Sequence, residues 1–80
     1  MRSVYLLQST SSAGQRHVGV TSDLRKRLKE HNAGRVLHTA RYRPWEAVVA
    51  LRFEDGSRAV QFARYLKSGS RHAFANRYFW

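Results

Sequence analysis

Eighty residues with 15 Lys and Arg against 5 Asp and Glu carry a formal charge of +10. That length suits a single domain over residues 1–80 with a modest core, above the ~40 residues below which staples are usually required. The absence of cysteine excludes a disulfide framework and a thiolate zinc site. No apolar stretch reaches the ~18 residues that span a bilayer, and the N-terminus lacks a signal-peptide pattern, which predicts a cytoplasmic protein.

The elements follow from the chain in order. Ser3–Gln8 is a short run rich in strand formers, and residues 9–14 form a polar turn. Gln15–Val20 reads as the returning strand of a β-hairpin, with Gly19 at a bulge or where the backbone approaches something closely. Thr21 or Ser22 suits the N-cap of a helix with Asp23 in its first turn, a Leu24/Leu28 core stripe and an end near Asn32. Gly34 is the stop. Residues 35–44 read as irregular or briefly helical, closed by Pro44. Trp45–Phe53 is the only long apolar run and reads as the central strand. After a turn at Glu54–Gly56, Ser57 caps a second helix in which Ala59, Val60, Phe62, Ala63 and Leu66 recur at helical spacing. Ser68–Ser70 breaks it, and Ser70 caps a short final helix carrying Ala73, Phe74 and Asn76. The order β-β-α-β-α-α predicts an α/β (α+β) fold, a small antiparallel sheet covered by helices. Trp45, Phe53, Phe62 and Phe74 are assigned to the core, and Tyr42, Tyr78 and Trp80 to the surface.

Twelve of the fifteen basic residues are arginine, spread from Arg2 to Arg77. A guanidinium pairs bidentately with phosphate and stacks on flat rings, so this composition points to nucleic acid. A membrane-surface protein would gather its cations on one amphipathic helix. Arg27 and His31 stand one helical turn apart, which puts a permanent cation beside a titratable imidazole. The pair suits work on a phosphodiester, with the guanidinium on the phosphate and the imidazole accepting a proton. The same spacing also suits a solvated basic helix face on which the histidine is incidental.

The blocks Val4-Tyr5-Leu6-Leu7-Gln8-Ser9, His17-Val18-Gly19 and Thr21-Ser22-Asp23-Leu24-x-x-Arg27-Leu28-x-x-His31-Asn32-x-Gly34 resemble the GIY-YIG nuclease domain. Thr39-Ala40-x-x-Arg43-Pro44-Trp45 and Tyr65-Leu66-Lys67-Ser68-Gly69-Ser70-x-x-Ala73-Phe74-Ala75 are similar to its small standalone bacterial members, among them a single-strand-specific branch. The resemblance implies a three-stranded antiparallel sheet flanked by helices and a phosphodiester hydrolase that uses Mg²⁺ or Mn²⁺. It implies that a tyrosine of the first two motifs, at whose positions Tyr5 and His17 stand, helps activate the attacking water, with Tyr5 and His17 both open for that role, that Arg27 steadies the scissile phosphate and that His31 is the histidine common one turn later. His17 stands where the family usually has tyrosine.

The resemblance also puts a metal-binding glutamate directly after Phe62, where this chain has Ala63. An engineered inactivation that traps substrate, a natural non-cleaving binder and a misaligned block are the competing accounts. With the one carboxylate ligand lost, the chain is expected to bind its substrate and not cut it. Arg25, Lys29, Arg41, Tyr42, Arg43, Lys67, Ser68, Arg71 and Asn76 are the candidate nucleic-acid contacts. Cations interleaved with aromatic rings suit unstacked bases, hence single-stranded DNA as the expected partner and a monomer as the working form. The alternatives are a structure-specific nuclease on branched or nicked duplex and a non-catalytic module that binds DNA or RNA.

Overall fold

The computed structural model describes residues 1–12, 14–68 and 76–80. Three strands, β1 (Arg2–Ser9), β2 (Arg16–Thr21) and β3 (Trp45–Phe53), form one antiparallel sheet in the order β2-β1-β3. The helices are α1 (Leu24–Asn32), α2 (Leu37–Ala40) and α3 (Gly56–Lys67). Residues 76–78 are again helical. The start of that segment at Ser70, with Ala73 and Phe74, lies outside the described residues.

The central strand is β1, not β3. Val4, Tyr5, Leu6 and Leu7 are all buried, because helices cover the sheet on both sides. Alternation along the strand then makes two cores. Val4 and Leu6 pack with Ala59, Ala63 and Leu66 of α3, while Tyr5 and Leu7 pack with Trp45, Leu24, Leu28 and Tyr42. The apolar run of β3 misleads because its side chains are small: Ala47, Val48 and Ala50 are exposed on an edge strand. That edge carries a bulge, since the pairing passes from Leu6↔Val49 to Leu7↔Ala47 and leaves Val48 over. Together with the exposed charges of Glu46 and Arg52, the bulge blunts the edge against pairing with another chain.

The N-caps of α1 and α3 are both aspartates. Asp23, not Thr21 or Ser22, is the N-cap of α1 and accepts from the Lys26 N–H at 3.1 Å, while the Thr21 hydroxyl oxygen accepts from the Asp23 N–H. Asp55, not Ser57, caps α3 and accepts from both the N–H and the hydroxyl of Ser57. In each case the shorter side chain serves the residue that reaches the free N–H groups, and the anion complements the helix dipole.

The polar turn after β1 is a clamp. Ser9 Oγ accepts from the N–H groups of Ser11 and Ser12 and donates to the Tyr42 carbonyl. Thr10 donates through its N–H to the Pro44 carbonyl at 2.9 Å. These bonds tie the hairpin to the segment before β3 and set where Trp45 enters the core. Phe53 and Phe62 pack half-buried against the α3-side core, and so does Trp80, which the sequence assigns to the surface.

Candidate active site

Tyr5 points from the middle of β1 toward α1, and its ring lies across Gly19 of the paired strand. A Cβ at Gly19 would fall onto Cζ and Oη of Tyr5, which is the close approach that requires glycine there. His17 is two residues earlier on β2, on the same face of the sheet as Tyr5 and Leu7. Arg27 and His31 reach this face from α1. The four residues the sequence assigns to chemistry therefore come together. The His17 ring centroid is 4.9 Å from that of His31 and 5.9 Å from that of Tyr5.

Tyr5 and His31 are bonded, Tyr5 Oη to His31 Nε2, at 3.0 Å, and Arg27 Nε donates to Tyr5 Oη at 3.4 Å. His31 is fully buried, with Nδ1 2.7 Å from Thr39 Oγ1. The Thr39 hydroxyl donates to the Val36 carbonyl at 3.3 Å. Thr39 is in turn placed by Trp45, whose indole Nε1–H donates to the Thr39 carbonyl at 2.8 Å. The Asn32 side chain grips Trp45, accepting from its N–H and donating to its carbonyl. Sequence reasoning assigned no role to Thr39, Trp45 or Asn32 in this site. The only signal was their place in the matching blocks.

Both imidazoles are held neutral. Burial pushes the His17 pKa down to about 4, with the charges of His31, Lys67, Arg27 and His38 acting in the same direction. His31 is also lowered, first by burial and then by Arg27, against a smaller opposing effect of Glu30. Arg27 is raised, chiefly by its bond to Tyr5, and it pairs with Glu30 at 3.3 Å. That pair is partly exposed and contributes little to stability. Near neutral pH the cluster thus offers two uncharged bases and one fixed cation.

Stability should respond to acid accordingly. His17 titrates near 6.5 when unfolded and near 4 when folded, so the unfolded chain binds the extra proton between those values. Its contribution is complete above pH 6.5 and is lost as pH falls toward 4, a total of about 1–3 kcal/mol after screening by solvent at this half-buried ring. Urea midpoints measured from pH 7 to 4 should fall less steeply for His17→Asn than for the unsubstituted chain. Parallel curves would show that His17 does not carry the effect.

The remaining expected residues scatter. Arg25 and Lys29 are exposed and stand about 200° around α1 from Arg27, so they face away from Tyr5. The Arg41 guanidinium lies over the Tyr42 ring, 5.8 Å from its centroid. Arg43 lies against Gly34 beyond the end of α1, and Ser68 caps α3 by donating to the Tyr65 carbonyl. Lys67 and Asn76 do approach the site. With Arg16, His17, Val18, Leu66 and Trp80 they line a groove of about 390 Å³ beside His17. Asn76 accepts from Arg16, whose guanidinium stacks on Trp80 at 4.8 Å. Arg71 lies outside the described residues.

Position 63 is not among the assembled residues. α3 covers the face of β1 that bears Val4 and Leu6, and Ala63 is buried there, whereas Tyr5 and Arg27 meet on the other face. Position 63 and Tyr5 thus belong to different layers of the fold. The reason is strand alternation: consecutive residues of β1 serve opposite layers.

A three-stranded antiparallel sheet flanked by helices, with a tyrosine, an arginine and two histidines gathered on one face, suits an α+β nuclease fold. The GIY-YIG catalytic domain family matches residues 1–78, and the chain belongs to that family. No curated protein matches the chain significantly. GIY-YIG proteins are nucleases that generally use divalent metals.

The donors present here do not fit such a cation. Hard divalent ions take carboxylate and other oxygen ligands. Among the described residues no three His, Cys, Asp or Glu side chains are grouped to hold a metal. Glu30, whose carboxylate touches the cluster, is engaged by Arg27.

Proposed function

We propose that this domain binds single-stranded DNA with a backbone phosphate against Arg27, and that as it stands it holds the strand without cutting it. The observation that carries the reading is an intact line of hydrogen bonds from Arg27 through Tyr5 to His31, with no cluster of three metal-ligating side chains among the described residues. The two ends of that line have separate tasks. Arg27 neutralises charge on the phosphate oxygens. In a form restored to cleavage, the Tyr5 oxygen would take the proton that leaves the attacking water as the Tyr5 phenol proton moves to His31 Nε2. His17, neutral and beside both, orients the strand.

Support for a single strand comes from the shape and chemistry of the surroundings. The groove beside His17 is lined by cations and an indole, and no acidic residue is among its lining. No helix among the described residues is long and apolar enough to cross a membrane.

Binding of labelled single-stranded DNA, duplex DNA and RNA, followed by fluorescence anisotropy, tests the partner. Single-stranded DNA should bind tightest, and log affinity should fall with log salt at roughly −0.7 per phosphate neutralised. Preference for a nicked or branched duplex, or for RNA, would overturn the single-strand assignment, and a salt-independent affinity would overturn the phosphate contact. With Mg²⁺ or Mn²⁺ the unsubstituted chain should leave all three intact, and cutting would overturn the non-cleaving part.

Ala63→Glu is the complementary variant. Ala63 is one turn before Lys67 on α3, and the Lys67 charge acts on His17, so the variant restores the family's carboxylate on the helix that borders the His17 groove. Metal-dependent cleavage by Ala63→Glu supports a silenced nuclease. A folded Ala63→Glu protein that binds and never cuts would instead make the domain a non-catalytic module.

A further inference from the structure

We propose that Thr39 is a positioning residue: it fixes the His31 proton on Nδ1 and so commits Nε2 to receive the proton of Tyr5. Its functional meaning rests on the reading above, in which Tyr5 passes its proton to His31.

The argument is an account of single protons. Each of the hydroxyls of Tyr5 and Thr39 has one to donate, and neutral His31 has one, on either nitrogen. In the first arrangement Thr39 donates to the Val36 carbonyl and therefore accepts from His31 Nδ1–H. Nε2 is then bare and accepts from Tyr5, whose oxygen accepts in turn from Arg27 Nε. Every donor along the line has an acceptor.

In the second arrangement Thr39 donates to Nδ1, and the His31 proton moves to Nε2 and points at the Tyr5 oxygen. That oxygen already receives Arg27 Nε–H, so the Tyr5 hydroxyl proton has no acceptor among the described residues. Tyr5 is buried, where an unmatched donor is costly. The first arrangement is favoured on that ground, and it rests on one choice: the direction in which Thr39 donates.

The fold holds that hydroxyl within reach of both partners, and the proton of Tyr5 decides between them. The Thr39 side chain is buried in a four-residue helix, its N–H donates to the same Val36 carbonyl at 3.1 Å, and its own carbonyl is held by the Trp45 indole. The hydroxyl is thus kept between the Val36 oxygen and the imidazole. Removing it leaves Nδ1–H without an acceptor and frees the imidazole to place its proton on Nε2 instead.

Nitrogen-15 NMR of the histidine side chains in the full chain, without nucleic acid at pH 7.5, reads the result directly. The unsubstituted protein should show His31 with a protonated Nδ1 and a bare Nε2. Thr39→Val should interchange the two nitrogen shifts in whole or large part, and Thr39→Ser should restore them. A wild-type His31 protonated on Nε2 overturns the proposal, as does a folded Thr39→Val protein with the wild-type pattern. Should Thr39→Val fail to fold, the wild-type and Thr39→Ser spectra still decide. The measurement needs neither DNA nor cleavage, so a failure of strand binding tells against the function proposed above and leaves the proton assignment standing.

Discussion

His31→Ala should be the most damaging single substitution in the site, costing about 3–5 kcal/mol. The imidazole is fully buried and bonded at both nitrogens, so its removal opens a ring-sized cavity and takes one partner each from Tyr5 and Thr39. For a domain of this size each kcal/mol lowers Tm by roughly 4–8 °C, which predicts a fall of at least 12 °C. Thermal or urea denaturation measures it. His31→Gln should be milder, because an amide refills part of the space and retains donor and acceptor groups. A His31→Ala protein within 1 kcal/mol of the unsubstituted chain would mean that the ring lies in solvent and that the line from Arg27 to Thr39 does not exist.

The second large effect is expected at Gly19. An alanine there places its methyl onto the Tyr5 ring tip, which His31 and Arg27 hold in place while β1 is paired on both sides. Overpacking of this kind costs about 1–3 kcal/mol. Because the clash is with one side chain, the cost should depend on that side chain. Gly19→Ala in a Tyr5→Ala background should be close to neutral, giving a coupling energy of about 1–3 kcal/mol in a double-mutant cycle. Additive losses would place the strain in the backbone of β2 and away from Tyr5. Tyr5→Phe separates the two roles of the residue. It keeps the ring against position 19 and deletes the hydroxyl, so the clash persists while the line of protons is cut.

The two substitutions probe a site whose members were unequally visible. Arg27 and His31 could be paired from spacing alone, since one helical turn sets them side by side, and the hairpin brings Tyr5 and His17 to neighbouring strands. Thr39 could not be found that way. It reaches His31 from eight residues along the chain, after a turn at Gly34 and a change of direction that no periodicity reports. Trp45 and Asn32 were legible as a core residue and a helix end, and their part in holding Thr39 exists only once α1, α2 and β3 are packed.

The order of secondary elements, their approximate limits, the basic character and the identity of the Tyr5, His17, Arg27 and His31 group are determined by the sequence itself. Each depends on local spacing, side-chain chemistry or a family pattern carried by contiguous blocks. Tertiary structure decided the rest. It made β1 the central strand, because large side chains needed cover on both faces while the small ones of β3 tolerated an edge. It turned Arg25 and Lys29 away from the site and drew Ala63 into the opposite layer, since a residue's face is fixed by what its element packs against. It also lowered the proton affinity of both histidines, because burial beside fixed cations is a property of the assembled protein and of no segment taken alone.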